Sequence, residues 1–215
     1  MKYFCTLSDK NYLPLGIALY KSLKEHCKEE FTLYYLCLDK ESEEILHNLA
    51  YDDIRTVTLF QLEKTSFDLQ VAKKNRPYNE YCWTLASYFT HWLLKDPQVK
   101  HISYIDSDIF FYQDPDIIYK EIGDKSVGII AHRHNCVGNT DGAYNVGIIY
   151  FKNDEKGKDV LTWWKDAVLY KKYPEYFGLC IATINSAHYR GVKSAFQQIL
   201  IDNGWNPEIE FKGSY

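Results

Sequence analysis

Three short apolar blocks open the chain, each separated from the next by a polar stretch. Residues 3–7 (YFCTL), 31–38 (FTLYYLCL) and 54–59 (IRTVTL) carry apolar side chains at nearly every position or at alternate ones. This is the pattern of strands buried in a parallel sheet. Between the first two, Leu13, Ile17, Tyr20 and Leu23 recur at helical spacing up to Cys27, so residues 1–38 read as one βαβ unit. Ile45, Leu46 and Leu49 share one side of a short second helix over 41–49.

Residues 61–80 mix charges with Arg76-Pro77 and predict a loop or short helix before a better helix at 81–94, which Asp96-Pro97 ends. The next strand is 99–105 (VKHISYI), followed by Asp106-Ser107-Asp108 and an apolar IFFY. Asp114-Pro115 places a capping residue and a first-turn proline at the start of a helix through Ile122. Two more strands follow at 126–131 and 146–151, separated by a loop over 132–145, and then a helix at 159–172 with Leu161, Trp164 and Val168 on one face. A further helix is predicted at 194–203. No repeat, low-complexity run or linker interrupts the pattern, so residues 1–215 read as a single α/β domain.

Composition narrows the classes. With 46% hydrophobic residues over 215 positions, the chain buries enough apolar surface to fold without disulfides or a structural metal. Lys+Arg 25 against Asp+Glu 29 gives net −4, without the basic stripe that nucleic-acid binding needs. The six cysteines are irregularly spaced with no C-x-x-C pair, the usage of a reduced, cytoplasmic protein. No leader pattern opens the sequence, and no uncharged run approaches the roughly 20 apolar residues of a spanning helix. Aromatic content is high, with 19 Tyr, 11 Phe and 5 Trp; such rings stack on bases and sugars as readily as they fill cores.

Open α/β sheets bind ligands beyond the carboxyl ends of their strands. Two polar clusters fall there. Asp106 and Asp108 follow the 99–105 strand, and carboxylates two apart in extended chain point to one side, where they suit Mg²⁺ or Mn²⁺. The alternative is a turn with Asp capping the next backbone, but the flanking apolar residues and the lack of adjacent Lys or Arg favour the metal. Asp9, Asn11 and Tyr12 follow the first strand, and serve equally as a helix cap or as contacts to a nucleobase and ribose. Asn145 and Gly147 open the 146–151 strand; an amide beside a residue without a side chain lets a ligand approach the backbone. His132-Arg133-His134 reads as exposed loop rather than a metal site. No phosphate-cradling G-x-x-x-x-G-K-[ST] or G-x-G-x-x-G and no G-x-S-x-G occurs.

These segments, FCTLSDKNYLPLGIALYKSL, YIDSDIFFYQDP and YNVGIIYFKND, resemble in order and spacing the nucleotide-sugar glycosyltransferases of the GT-A fold. The resemblance is to the bacterial lipopolysaccharide-type galactosyltransferase and glycogenin-like group, and covers residues 1–172. It implies a Rossmann-like, mostly parallel central sheet flanked by helices, with the nucleotide and metal half in residues 1–172. The remaining 173–215 are atypical or truncated by that standard. It resolves the even choice at Asp9, Asn11 and Tyr12 in favour of nucleotide contact, adds Thr6 and Ser107 as nucleotide-site residues, and makes Asn145 and Gly147 sugar or acceptor contacts; Arg76, the basic residue before the helix that leads to the D-x-D strand, is the expected partner of the diphosphate. Asp106 and Asp108 become ligands of Mn²⁺ or Mg²⁺.

The implied activity is transfer of a sugar from a nucleotide-diphosphate donor, with UDP-sugar favoured, to a hydroxyl of a glycan or lipid-linked acceptor in polysaccharide biosynthesis. The implied location is cytoplasmic or peripheral at the inner membrane face. Relatives carry an Asp-Gln pair late in the chain, where this sequence has Phe196-Gln197-Gln198; Gln197 is the catalytic candidate in its place. A late His also ligates the metal in many relatives, and His188 is the one His after the Asn-x-Gly strand. These departures keep a second reading open, a nucleotide-sugar or glycan-binding module that has lost catalysis.

Overall fold

The computed structural model describes residues 1–131 and 144–170. A sheet in the order β3-β2-β1-β4-β6-β5 forms its centre. The strands are β1 (Lys2–Ser8), β2 (Phe31–Cys37), β3 (Ile54–Thr58), β4 (His101–Ile105), β5 (Val127–Ala131) and β6 (Tyr144–Lys152). β3, β2, β1 and β4 run parallel, β6 runs antiparallel to β4, and β5 antiparallel to β6. The carboxyl ends of four parallel strands therefore share one edge with the start of β6. This is the mostly parallel α/β sheet that the sequence predicts.

Seven helices flank it among the described residues: α1 (Leu13–His26), α2 (Lys40–Leu49), α3 (Leu59–Glu63), α4 (Phe67–Lys74), α5 (Tyr78–Leu93), α6 (Asp116–Ile122) and α7 (Glu155–Leu169). The sheet's two faces carry two cores. Cys5, Leu85, Phe89, Tyr104, Leu161 and Trp164 pack on the α5–α7 side. Phe4, Leu19, Leu23, Leu33, Tyr35, Leu46, Ile105 and Phe111 pack on the other, with α1 and α2. Phe4 and Cys5 are both buried although adjacent, because β1 has a packed layer on each face. That is why its apolar run is continuous rather than alternating.

Helix starts follow local capping. Asp39 Oδ1 accepts from Ser42 N at 2.8 Å to begin α2. Thr58 and Gln61 form a reciprocal capping box at α3, with Thr58 N donating to Gln61 Oε1 and Gln61 N to Thr58 Oγ1. The stretch expected as a loop or one short helix thus holds two helices, α3 and α4, the second opened by Ser66. α5 begins at Tyr78, ahead of the expected position 81, since Pro77 occupies the N-cap where no backbone N–H is needed. α7 likewise begins at Glu155 rather than 159, because Asp154 caps it by accepting from Gly157 N at 2.8 Å. The 132–143 part of the loop before β6, with His132 and His134, lies outside the described residues. So do residues 171–215, and with them Gln197, His188, the helix expected at 194–203 and positions 171–172 of the helix expected at 159–172; within the described residues α7 ends at Leu169, with Tyr170 as its C-cap.

Candidate functional site

The ladder joins segments far apart in sequence at the sheet's carboxyl edge. β4 leads into Asp106, whose N–H donates to Gly147 O at 2.9 Å as β6 begins alongside it. Asp106 O accepts from Ile109 N at 3.1 Å, closing residues 106–109 into a turn. The two-residue alternation of an extended chain therefore does not carry through this motif. Asp108 is exposed, Ser107 is buried and Asp106 lies between. Tyr104, two residues earlier and 4% exposed, donates its hydroxyl to Asp106 Oδ1 at 2.7 Å. Burial raises the Asp106 pKa from its ordinary value, the Tyr104 bond opposes that rise, and the negative charge of Asp108 adds to it. The two carboxylates are close enough to feel one another's charge.

Asn145 and Gly147 stand against this turn. Gly147 N donates to Asn145 Oδ1 at 2.5 Å. A Cβ on Gly147 would lie 2.7 Å from that same amide oxygen and 3.5 Å from Ile109 Cδ1. A side chain at this position would push the Asn145 carboxamide aside, so the glycine is what lets the amide oxygen lie this close to the backbone.

One strand over, Asp9 follows β1. Its Oδ1 accepts from Asn11 N at 2.9 Å and Tyr12 N at 3.2 Å, and its Oδ2 accepts from the Tyr78 hydroxyl at 3.2 Å. Asp9 O also accepts from Leu13 N, so the residue turns the chain into α1. The capping geometry is thus realised, and it leaves Tyr12 and Tyr78 each 56% exposed beside the carboxylate. Beneath them, burial pushes the Cys82 thiol up to about 11, so it is protonated at neutral pH.

Thr6 and Arg76 are placed differently. Thr6 is wholly buried within β1, its hydroxyl without a hydrogen-bond partner among the described residues. Arg76 is 9% exposed, and its guanidinium is committed to the end of α7: Nη1 donates to Val168 O at 3.1 Å and Thr84 Oγ1 at 2.7 Å, and Nη2 to Leu169 O at 3.0 Å. A cation on a helix's last carbonyls is a favourable cap. The expected diphosphate contact thus finds its side chain bonded elsewhere.

Tyr78 and Tyr104 join the site without having been singled out in the sequence. Tyr104 was legible in principle, since it lies two residues before Asp106 on one strand and thus on one face. Tyr78 was not, because only the packing of α5 against β1 brings it to Asp9. Among the described residues, no group of three or more His, Cys, Asp or Glu side chains is gathered as a metal cage. None of the helices described is long and apolar enough to cross a membrane.

No protein-family model matches the chain. It is 33% identical over 177 residues to the uncharacterized protein YfnF of Bacillus subtilis (strain 168), covering 77% of this chain and 57% of that protein. It is 29% identical over 168 residues to YfnD of the same organism, covering 76% and 53%. The chain thus spans little more than half the length of these curated relatives. Among solved structures, it resembles the galactosyltransferase LgtC, with TM-score 0.49 and 17% identity over 82% of this chain and 64% of that one. The glycosyltransferase GlyE of Streptococcus pneumoniae TIGR4 aligns over 95% of this chain and 51% of its own, with TM-score 0.51 and 13% identity. At that identity the likeness is one of architecture, and the α/β fold described above is the fold this chain shares with the glycosyltransferase GlyE.

Proposed function

We propose that this chain transfers a sugar from a nucleotide-diphosphate donor, a UDP-sugar above others, to a hydroxyl of a glycan or lipid-linked acceptor, with Mn²⁺ or Mg²⁺ as cofactor. One observation carries this reading. Asp9–Tyr12 follows β1 and Asp106–Asp108 follows β4 at the carboxyl edge of the parallel strands, the place where such sheets bind ligands, and Asn145–Gly147 opens β6 beside Asp106. The shared fold with GlyE supports it.

The donor set fits a hard divalent cation. Asp106 and Asp108 offer carboxylate oxygens alone, and a pair rather than a cage suits an ion that keeps positions for phosphate oxygens and water. Burial is the main cause of the raised Asp106 pKa, and the nearby Asp108 charge adds to it; a dication between the two carboxylates would oppose both effects. When bound, such an ion supplies neutralisation of the charge that develops on the leaving diphosphate. The chain's own residues do the rest of the positioning. Tyr12 and Tyr78 offer rings beside Asp9 for a nucleobase, and the Asp9 carboxylate accepts from its N–H or ribose hydroxyl groups. Asn145, held by Gly147 N, borders the sugar next to Asp106.

A thermal-shift screen of nucleotide-diphosphate sugars with and without Mn²⁺ tests the reading, with Asp108→Ala as control. Ligand at about 100 times its Kd stabilises by about 2.7 kcal/mol, a rise of roughly 5–11 °C at this size. A rise that needs Mn²⁺ and vanishes in Asp108→Ala is the expected result; no nucleotide-dependent rise with any metal refutes it. Donor hydrolysis and transfer assays then separate an enzyme from a binding module.

A further inference from the structure

We propose that Tyr104 is the positioning residue of the metal edge: its hydroxyl fixes the Asp106 carboxylate in the orientation that binds the cation. This rests on the donor-site reading above. Asp106 is held at three points. Its N–H is bonded to Gly147 O, its carbonyl to Ile109 N, and its Oδ1 to the Tyr104 hydroxyl at 2.7 Å. The first two bonds fix the backbone alone. The side chain's remaining rotation is arrested by Tyr104.

Tyr104 can do this because it cannot itself move. It is 4% exposed on β4, with its ring edge-on to Trp164 at 6.3 Å between centroids. Trp164, 1% exposed on α7, is stacked in turn on Phe151 of β6 at 6.0 Å. A hydroxyl carried by a ring locked between two strands and a helix is a rigid donor. Outer partners of this kind change metal affinity by about 10–100-fold when removed.

The chain supplies its own control. Tyr119 of α6 donates or accepts a 2.8 Å hydrogen bond with Ser103 Oγ, one residue away on β4 but on the opposite face. Tyr119→Phe removes a comparable tyrosine hydroxyl without touching Asp106.

The test uses the full chain, with Mn²⁺ alone as probe followed by electron paramagnetic resonance, and UDP titrated separately without metal. Tyr104→Phe, which keeps the ring, is expected to weaken Mn²⁺ binding about 10–100-fold. Metal-free UDP affinity should stay within about twofold, and Tyr119→Phe should bind Mn²⁺ as the parent chain does. Parent-like Mn²⁺ affinity in Tyr104→Phe overturns the proposal and leaves the donor-site reading standing. Equal losses in Tyr104→Phe and Tyr119→Phe, or joint loss of Mn²⁺ and metal-free UDP binding, assign Tyr104 a merely structural role and also overturn it. Failure of the parent chain to bind Mn²⁺ removes both readings, and is recognised because it needs no variant.

Discussion

Replacing Arg76 separates a residue that holds the fold from one that holds a nucleotide. Arg76→Met keeps the aliphatic stem in its 9% exposed position but deletes the donors to Val168 O, Leu169 O and Thr84 Oγ1. Hydrogen bonds from a charged donor contribute about 1.5–3 kcal/mol each, though not additively within one group. Against that stands the cost of burying the guanidinium, whose pKa is lowered from its ordinary value mainly by desolvation. Two carbonyl bonds less this offset leave a net loss of about 3 kcal/mol. At about 2–4 °C per kcal/mol for a chain of this size, the melting temperature falls by roughly 6–12 °C. Thermal unfolding followed by circular dichroism reads the first quantity, and calorimetric titration with UDP, on folded protein well below the transition, reads the second. A lowered melt with UDP affinity within about threefold is expected. An unchanged melt together with a tenfold loss of UDP affinity would refute the structural assignment and return Arg76 to the diphosphate.

Two further outcomes follow from the same geometry. Gly16→Ala should destabilise although alanine is the better helix former by about 0.8–1.0 kcal/mol, because the new Cβ would meet the hydroxyl of buried Tyr35, itself bonded to Ser8 Oγ at 2.6 Å. Overpacking costs about 1–3 kcal/mol, and a double-mutant cycle with Tyr35→Phe in chemical denaturation should recover part of it; strict additivity would deny the contact. His91 is held neutral, its pKa lowered to about 4 by burial and by Lys165 and Lys95. Because the unfolded chain takes up that proton near pH 6.5, stability is lost as pH falls from about 6.5 toward about 4, by at most about 3 kcal/mol. Melting curves across that window should flatten in His91→Gln, and an unchanged slope would show that His91 is not the group responsible.

The order of strands and helices was legible because each leaves a local trace. The continuous apolar runs at β1 and β2 mark strands covered on both faces, and the helical spacing from Leu13 to Leu23 needs one buried stripe only. Boundaries moved where a cap outranked periodicity, as at Asp154 and Pro77. In the region before α5, mixed charges hid α3 and α4, whose buried residues are few (Leu62, Leu69 and Ala72) and whose starts depend on Thr58 and Ser66.

At the candidate site, residue types and their places beside strand ends were legible in the sequence, since Asp106 directly follows an apolar run and Asp9 follows one after a single serine. Which of them meet was decided by tertiary structure. The sheet order puts β4 between β1 and β6, so Asp106 finds Gly147 across one ladder and Asp9 stands on the neighbouring strand. The same packing turned Arg76 inward to α7, lined Asp9 with Tyr78 and set Tyr104 under Asp106. Local pattern reports which face a residue presents; only the closing of the sheet, driven by burial of both its faces, determines what that face meets.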